Sequence, residues 1–161
     1  MLPIIPRDFS APDSSFFLFG PRGCGKTTWW RNWYKNSAVD FDLLDATMFR
    51  ELLANPQNLR KRVEVDDKQH IYVLDEIQRI PELLPIVHSL IVDYPRPRFV
   101  LTGSNARKLK REGVDLLAGR ALLKHMHPFT TPIPMRIRHL FRITKLPGFF
   151  SYLQLHPRPS R

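Results

Sequence analysis

The octapeptide Gly20-Pro21-Arg22-Gly23-Cys24-Gly25-Lys26-Thr27 is a complete G-x-x-x-x-G-K-[ST] segment, and no other stretch of the chain narrows the fold as far. An apolar run, Phe16-Phe17-Leu18-Phe19, precedes it, and a helix-compatible stretch from Thr28 to Trp33 follows. Such a loop works only as the turn from a buried strand into a helix. Its glycines let successive N–H groups curl inward, at the positive end of the helix dipole, where they hold a phosphate. With both flanks in place, a chance glycine-rich turn is the weaker reading. The expected ligand is a nucleoside triphosphate, ATP, bound by Gly20, Pro21, Arg22, Gly23, Cys24, Gly25, Lys26, Thr27 and Thr28. Lys26 then reaches the β- and γ-phosphates, and the Thr27 hydroxyl ligates Mg²⁺.

The rest of the chain supplies the elements such a loop needs. Strand signals fall at Phe16–Phe19, Val39–Leu43, His70–Leu74, Arg98–Thr102 and Ala118–His125. The third and fourth are near-continuous apolar runs, as expected of parallel strands covered on both faces. Helix-compatible segments lie between them at Lys26–Asn36, Ala46–Ala54, Pro81–Val92 and Ala106–Glu112. Pro81 suits a first helical turn, and Leu83, Leu84, Val87, Leu90 and Ile91 then share one face. Alternating strands and helices give an α/β fold. The expectation is a P-loop NTPase three-layer sandwich with a mainly parallel five-stranded sheet in the order 5-1-4-3-2, followed by an irregular C-terminal tail.

Ile71-Tyr72-Val73-Leu74-Asp75-Glu76 is an apolar strand ending in two carboxylates, and the chemistry uses them differently. Asp75, at the strand tip, is placed to hold Mg²⁺. Glu76 is placed to orient or deprotonate the attacking water. On its own this pattern is an ordinary polar strand end; joined to the upstream loop it reads as the second half of one site. Leu101-Thr102-Gly103-Ser104-Asn105 ends the next strand, and ligands of open α/β sheets sit beyond the carboxyl ends of strands. Ser104 or Asn105 is therefore a candidate γ-phosphate sensor, a role compatible with an N-cap for the helix that follows. No Asn/Thr-Lys-x-Asp segment is present to read guanine, which favours ATP over GTP.

Charge and composition bound the partners. The formal charge is +10, but residues 132–161 carry six basic and no acidic side chains, leaving 19 basic against 15 acidic elsewhere. The domain proper is thus only mildly basic. Arg107-Lys108-Leu109-Lys110-Arg111 is a basic helical face that reads as solvated surface or as a DNA contact. A single cysteine fits a reducing compartment, no apolar run approaches the ~20 residues of a membrane span, and no basic segment opens a long apolar start. The expected location is cytoplasmic, with no membrane partner. Cys24 reads as a small residue fitting the loop. His125 and His127 share a strand face as metal ligands can, without a cysteine or carboxylate nearby in sequence. Trp29 and Trp33 are spaced as core or interface residues rather than as a base-stacking platform.

The runs FFLFGPRGCGKTTWW, IYVLDEIQRIPELLPIVHSLI and FVLTGSNARKLKREGVDLLAGRALLKHMHPFT, with the early IIPRDF, together resemble a prokaryotic AAA+ ATPase family. In that family an N-terminal P-loop domain precedes a C-terminal domain thought to be related to restriction-endonuclease-like folds. The resemblance spans residues 4–130. It implies that Gly20–Thr27 is the Walker A loop, that Asp75 and Glu76 are Walker B, and that Thr102–Asn105 hold the sensor position. It also matches Arg120 to a family arginine, as a finger or as a structural ion-pair partner. A homo-oligomer is an arrangement it leaves open. The likeness ends after Phe129, where the family continues with a helical lid. The expected organisation is therefore a 1–130 AAA+ ATPase domain and a 131–161 basic, proline-rich tail of poor order, a truncation that weakens turnover. The expected function is binding and hydrolysis of Mg-ATP, with Glu76, Lys26, Ser104, Asn105 and Arg120 as the catalytic set. The rivals are a nucleotide-binding remnant without turnover that touches DNA and, more distantly, a small-molecule kinase.

Overall fold

A computed structural model of the chain describes residues 9–35, 37–66, 70–104 and 117–128. Asn105, the expected helix Ala106–Glu112 with its basic face, and the 131–161 tail lie outside the described residues. The elements run β1 (Phe16–Phe19), α1 (Lys26–Tyr34), β2 (Val39–Asp42), α2 (Ala46–Ala54), α3 (Gln57–Val65), β3 (Ile71–Asp75), α4 (Leu83–Asp93), β4 (Arg98–Gly103) and β5 (Leu122–His125). Short 3₁₀ turns at Ile77–Arg79 and Leu117–Gly119 follow β3 and precede β5.

The five strands form one sheet in the order β2-β3-β4-β1-β5, and every pairing is parallel. This is the expected 5-1-4-3-2 arrangement. It sets β1, which feeds the glycine loop, between β4 and β5, with β3 one strand further away. Because successive side chains of a strand point to opposite faces, each strand divides its apolar residues between two layers. Phe17, Phe19, Tyr72, Leu74, Phe99 and Leu101 pack against Leu52 of α2, Leu59 and Val63 of α3, and Leu84, Val87 and Leu90 of α4. Phe16, Leu18, Val73 and Val100 face the other way, onto Trp29 and Trp30 of α1. Phe9 completes that second layer, its carbonyl accepting from Trp29 Nε1 at 3.0 Å.

Two departures from the sequence reading have physical reasons. Helix α3 is a helix the sequence reading left out, since Gln57–Val65 offers only Leu59 and Val63 to the core. Polar contacts at its surface accompany that narrow stripe: Arg60 reaches Glu64 and Asp93, and Arg62 reaches Glu51. Strand β5 is shorter than Ala118–His125, because Leu117 and Gly119 adopt positive φ (56° and 77°) and turn the chain before it can pair with β1. Helix α2 begins where Asp45 accepts from the Thr47 and Met48 N–H groups at 3.0 and 2.8 Å, a side-chain N-cap.

Candidate functional site

The site grows from the carboxyl end of β1. The Phe19 carbonyl accepts from Met126 N at 2.7 Å and Gly20 N donates to the Gly103 carbonyl at 3.2 Å, so the loop starts pinned between β4 and β5. Gly20 has no room for a side chain: a Cβ there would stand 2.2 Å from the Met126 carbonyl oxygen. Beyond it, Cys24 N donates to the Pro21 carbonyl at 3.2 Å, and Gly23 and Gly25 take left-handed φ of 78° and 93°. The loop thereby folds back to start α1 at Lys26, with Gly25 at the N-cap and no side-chain cap among the described residues. The open end of a helix is a favourable place for an anion.

Lys26 is 5% exposed, and its ammonium lies across the loop, donating to the carbonyls of Gly20 at 2.8 Å and Pro21 at 3.2 Å. One residue on, Thr27 Oγ1 donates to Asp75 Oδ2 at 2.8 Å, joining the first turn of α1 to the tip of β3. Asp75 is buried, and its second carboxylate oxygen accepts from the Thr102 hydroxyl on β4. Thr102 Oγ1 also accepts from Glu76 N at 3.3 Å. Two hydroxyls thus fix one carboxylate at the junction of three elements. A hydroxyl and a carboxylate oxygen so close together are hard oxygen donors of the kind Mg²⁺ takes when most of its remaining shell is water and phosphate. Among the described residues no group of three His, Cys, Asp or Glu side chains comes together, so a cage made wholly of protein ligands is not part of the arrangement.

Glu76 stands at φ 63°, ψ 46°, a left-handed conformation uncommon for a residue with a side chain. The reversal brings its carboxylate onto Gln78, whose Nε2 donates to Glu76 Oε2 and lies 3.3 Å from Ser104 Oγ. Gln78 was not singled out by sequence, and Thr102 was named only within the Thr102–Asn105 sensor stretch, not as a partner of Asp75. Thr102 carried a signal, a hydroxyl at a strand end in register with the acidic tip. Gln78 carried almost none, because residues two apart on a regular strand share a face while residues in a turn follow no such rule. Beside the site, Arg31 pairs with Asp40 at 3.1 Å and approaches Asp42 at 3.8 Å, Asp42 being the register partner of Asp75 on β2. Burial pushes the Asp40 carboxyl up from the usual range, and the Arg31 hydrogen bond opposes that shift.

The structure therefore brings together Lys26, Thr27, Asp75, Glu76 and Ser104. Arg120 is not among them. It stands two residues before β5, whose first residue Leu122 pairs with Phe16 at the start of β1, whereas the loop follows Phe19 at the other end. Trp29 and Trp30 are buried and Trp33 is half-exposed, stacked on Trp29 at 5.7 Å. A hollow lined by Val63, His70, Tyr72 and Tyr94 opens at the starts of β3 and β4, away from these residues.

An all-parallel sheet with the glycine loop after a central strand, and an acidic strand tip one strand beyond its neighbour, defines a P-loop NTPase-type α/β domain. The comparison with known families sharpens this: a family model described as "AAA domain" matches residues 13–132, and the chain belongs to that family. It is thus a nucleotide-binding domain of the AAA type. No curated protein shows significant similarity to the chain. No helix among the described residues is long and apolar enough to cross a membrane.

Proposed function

We propose that this domain binds Mg-ATP and hydrolyses it to ADP and phosphate. The observation that carries the reading is the Thr27–Asp75 hydrogen bond of 2.8 Å, which joins the glycine loop and the acidic strand tip in one place. Residues Gly20 to Thr28 would cradle the phosphates with their N–H groups, and Lys26 would turn its ammonium to the β- and γ-phosphate oxygens. Thr27 and Asp75 would hold Mg²⁺, which when bound neutralises charge on those oxygens. Glu76 would accept the proton of the attacking water at one carboxylate oxygen, a contribution of ~10²–10⁴-fold. Ser104 and Asn105 would meet the γ-phosphate from the end of β4. This reading assigns the ATPase domain to residues 1–130, leaves 131–161 as a basic extension, and fits a reducing, cytoplasmic setting for the single cysteine.

The test is to measure Mg-ATP affinity and phosphate release side by side. Lys26→Ala should weaken ATP binding at least ~10-fold. Glu76→Gln should keep the affinity and lose at least ~100-fold in turnover. Binding without turnover in the unaltered protein, with no further loss on Glu76→Gln, would instead establish a nucleotide-binding domain that is not an ATPase.

A further inference from the structure

Gln78 belongs to no part of the machinery described so far, yet it is buried at the centre of it. Its amide lies between the ends of β3 and β4. One N–H goes to Glu76 Oε2, and the same nitrogen faces Ser104 Oγ at 3.3 Å. The place is reserved for it by the backbone: a Cβ on Gly103 would stand 2.4 Å from Gln78 Oε1. The left-handed turn at Glu76 is what allows the two side chains to meet. We propose that Gln78 is a positioning residue, a hydrogen-bond relay that links the γ-phosphate end of ATP, met by Ser104, to the placement of the Glu76 carboxylate. The proposal rests on the ATPase reading given above.

The donor and acceptor polarity is consistent along the whole relay. A hydroxyl has one proton and two lone pairs, so Ser104 can donate outward to a phosphate oxygen while accepting from Gln78. The amide nitrogen has two protons, one for Ser104 and one for Glu76. A carboxylate accepts only, which fixes the amide orientation, since the flipped form would set the Gln78 carbonyl against Glu76. ADP offers nothing at the Ser104 end. The relay therefore distinguishes ATP from ADP and reports the difference at the group that handles water.

Gln78→Met keeps the length and removes both donors; Gln78→Glu keeps the shape and replaces the donor with a charge that repels Glu76. With intact protein, Gln78→Met should lower kcat ~10-fold and Gln78→Glu further, while ADP affinity stays within ~2-fold and the preference for ATP over ADP falls at least ~3-fold. Ser104→Ala should cost less in the Gln78→Met background than it does alone, because the part of its effect that runs through the relay is already gone. A merely structural role predicts that ADP affinity and melting temperature fall together with kcat, and that result overturns the proposal. So does a Gln78→Met variant with unaltered kcat, or losses from the two sites that multiply. If the unaltered protein binds ATP without hydrolysing it, the ATPase reading falls by itself. The relay is then decided by the ATP-to-ADP affinity ratio, and a ratio unchanged in Gln78→Met overturns it.

Discussion

The two faces of the sheet are covered very differently. Among the described residues, one carries three helices, α2 to α4, and a broad apolar layer in which Leu52, Leu59, Leu84, Val87 and Leu90 are all essentially inaccessible. The other carries α1, with Trp29 and Trp30 as its main contacts and Phe9 alongside. The first layer does one thing: it stabilises the sheet. The second does two, because the helix whose tryptophans fill it is also the helix that begins at Lys26 and Thr27. Packing and ligand geometry are thus independent on one side and inseparable on the other.

That contrast can be broken by paired substitutions. Trp30→Ala should cost ~3–5 kcal/mol in a urea titration and also weaken the ATP affinity of the molecules that remain folded, since α1 loses the contact that seats it. Leu90→Ala should cost ~2–5 kcal/mol, yet leave the affinity of the folded fraction as it was. Equal losses of affinity in the two variants would show that the faces do not differ in this way. Asp45→Ala, removing the α2 N-cap on the helix-rich face, should cost ~1 kcal/mol with no change in nucleotide binding.

The smallest effect is in the pH dependence of the α1 face. Tyr34, packed edge-on against Trp29, has its phenol pushed up to about 12 from an ordinary value near 10, chiefly by burial, with Arg98 opposing and Asp13 adding. The folded chain then holds the phenol proton longer than the unfolded one. The contribution is complete below pH 10 and is lost as pH rises toward 12. Tyr34→Phe lacks it, so its melting temperature should fall less steeply across that interval. Parallel curves for the two proteins would remove Tyr34 from the account.

Much of this was legible in the sequence because the informative residues are tied to backbone geometry. Gly20, Gly23 and Gly25 announce positive φ or close approach, and Phe16–Phe19 and Ile71–Asp75 are apolar enough to be read as buried strands. Read as two halves of one phosphate site, they have to lie near each other, and the observed sheet order agrees with that expectation. Helix α3 was hidden because only Leu59 and Val63 of its nine residues reach the core, a weak periodic signal, and its ion pairs join residues up to 33 positions apart. Gln78 was hidden for a different reason: its partnership with Glu76 depends on one unusual backbone angle that no side chain advertises. Trp30 shows the same limit in packing, since its burial beside Trp29 widens the apolar stripe of α1 beyond what the Trp29–Trp33 spacing suggests.

The ammonium of Lys26 already has acceptors before any ligand arrives, the carbonyls of Gly20 and Pro21. If Lys26 is the phosphate ligand proposed above, an incoming phosphate would have to win a swap rather than fill a vacancy. A weakly basic anion would offer little over two amide oxygens and would leave the lysine where it is, whereas a polyphosphate tail, with several charged oxygens presented at once, would tip the exchange. Selection against ordinary cellular anions would then begin in the resting fold, through the loop's own carbonyls acting as competitors.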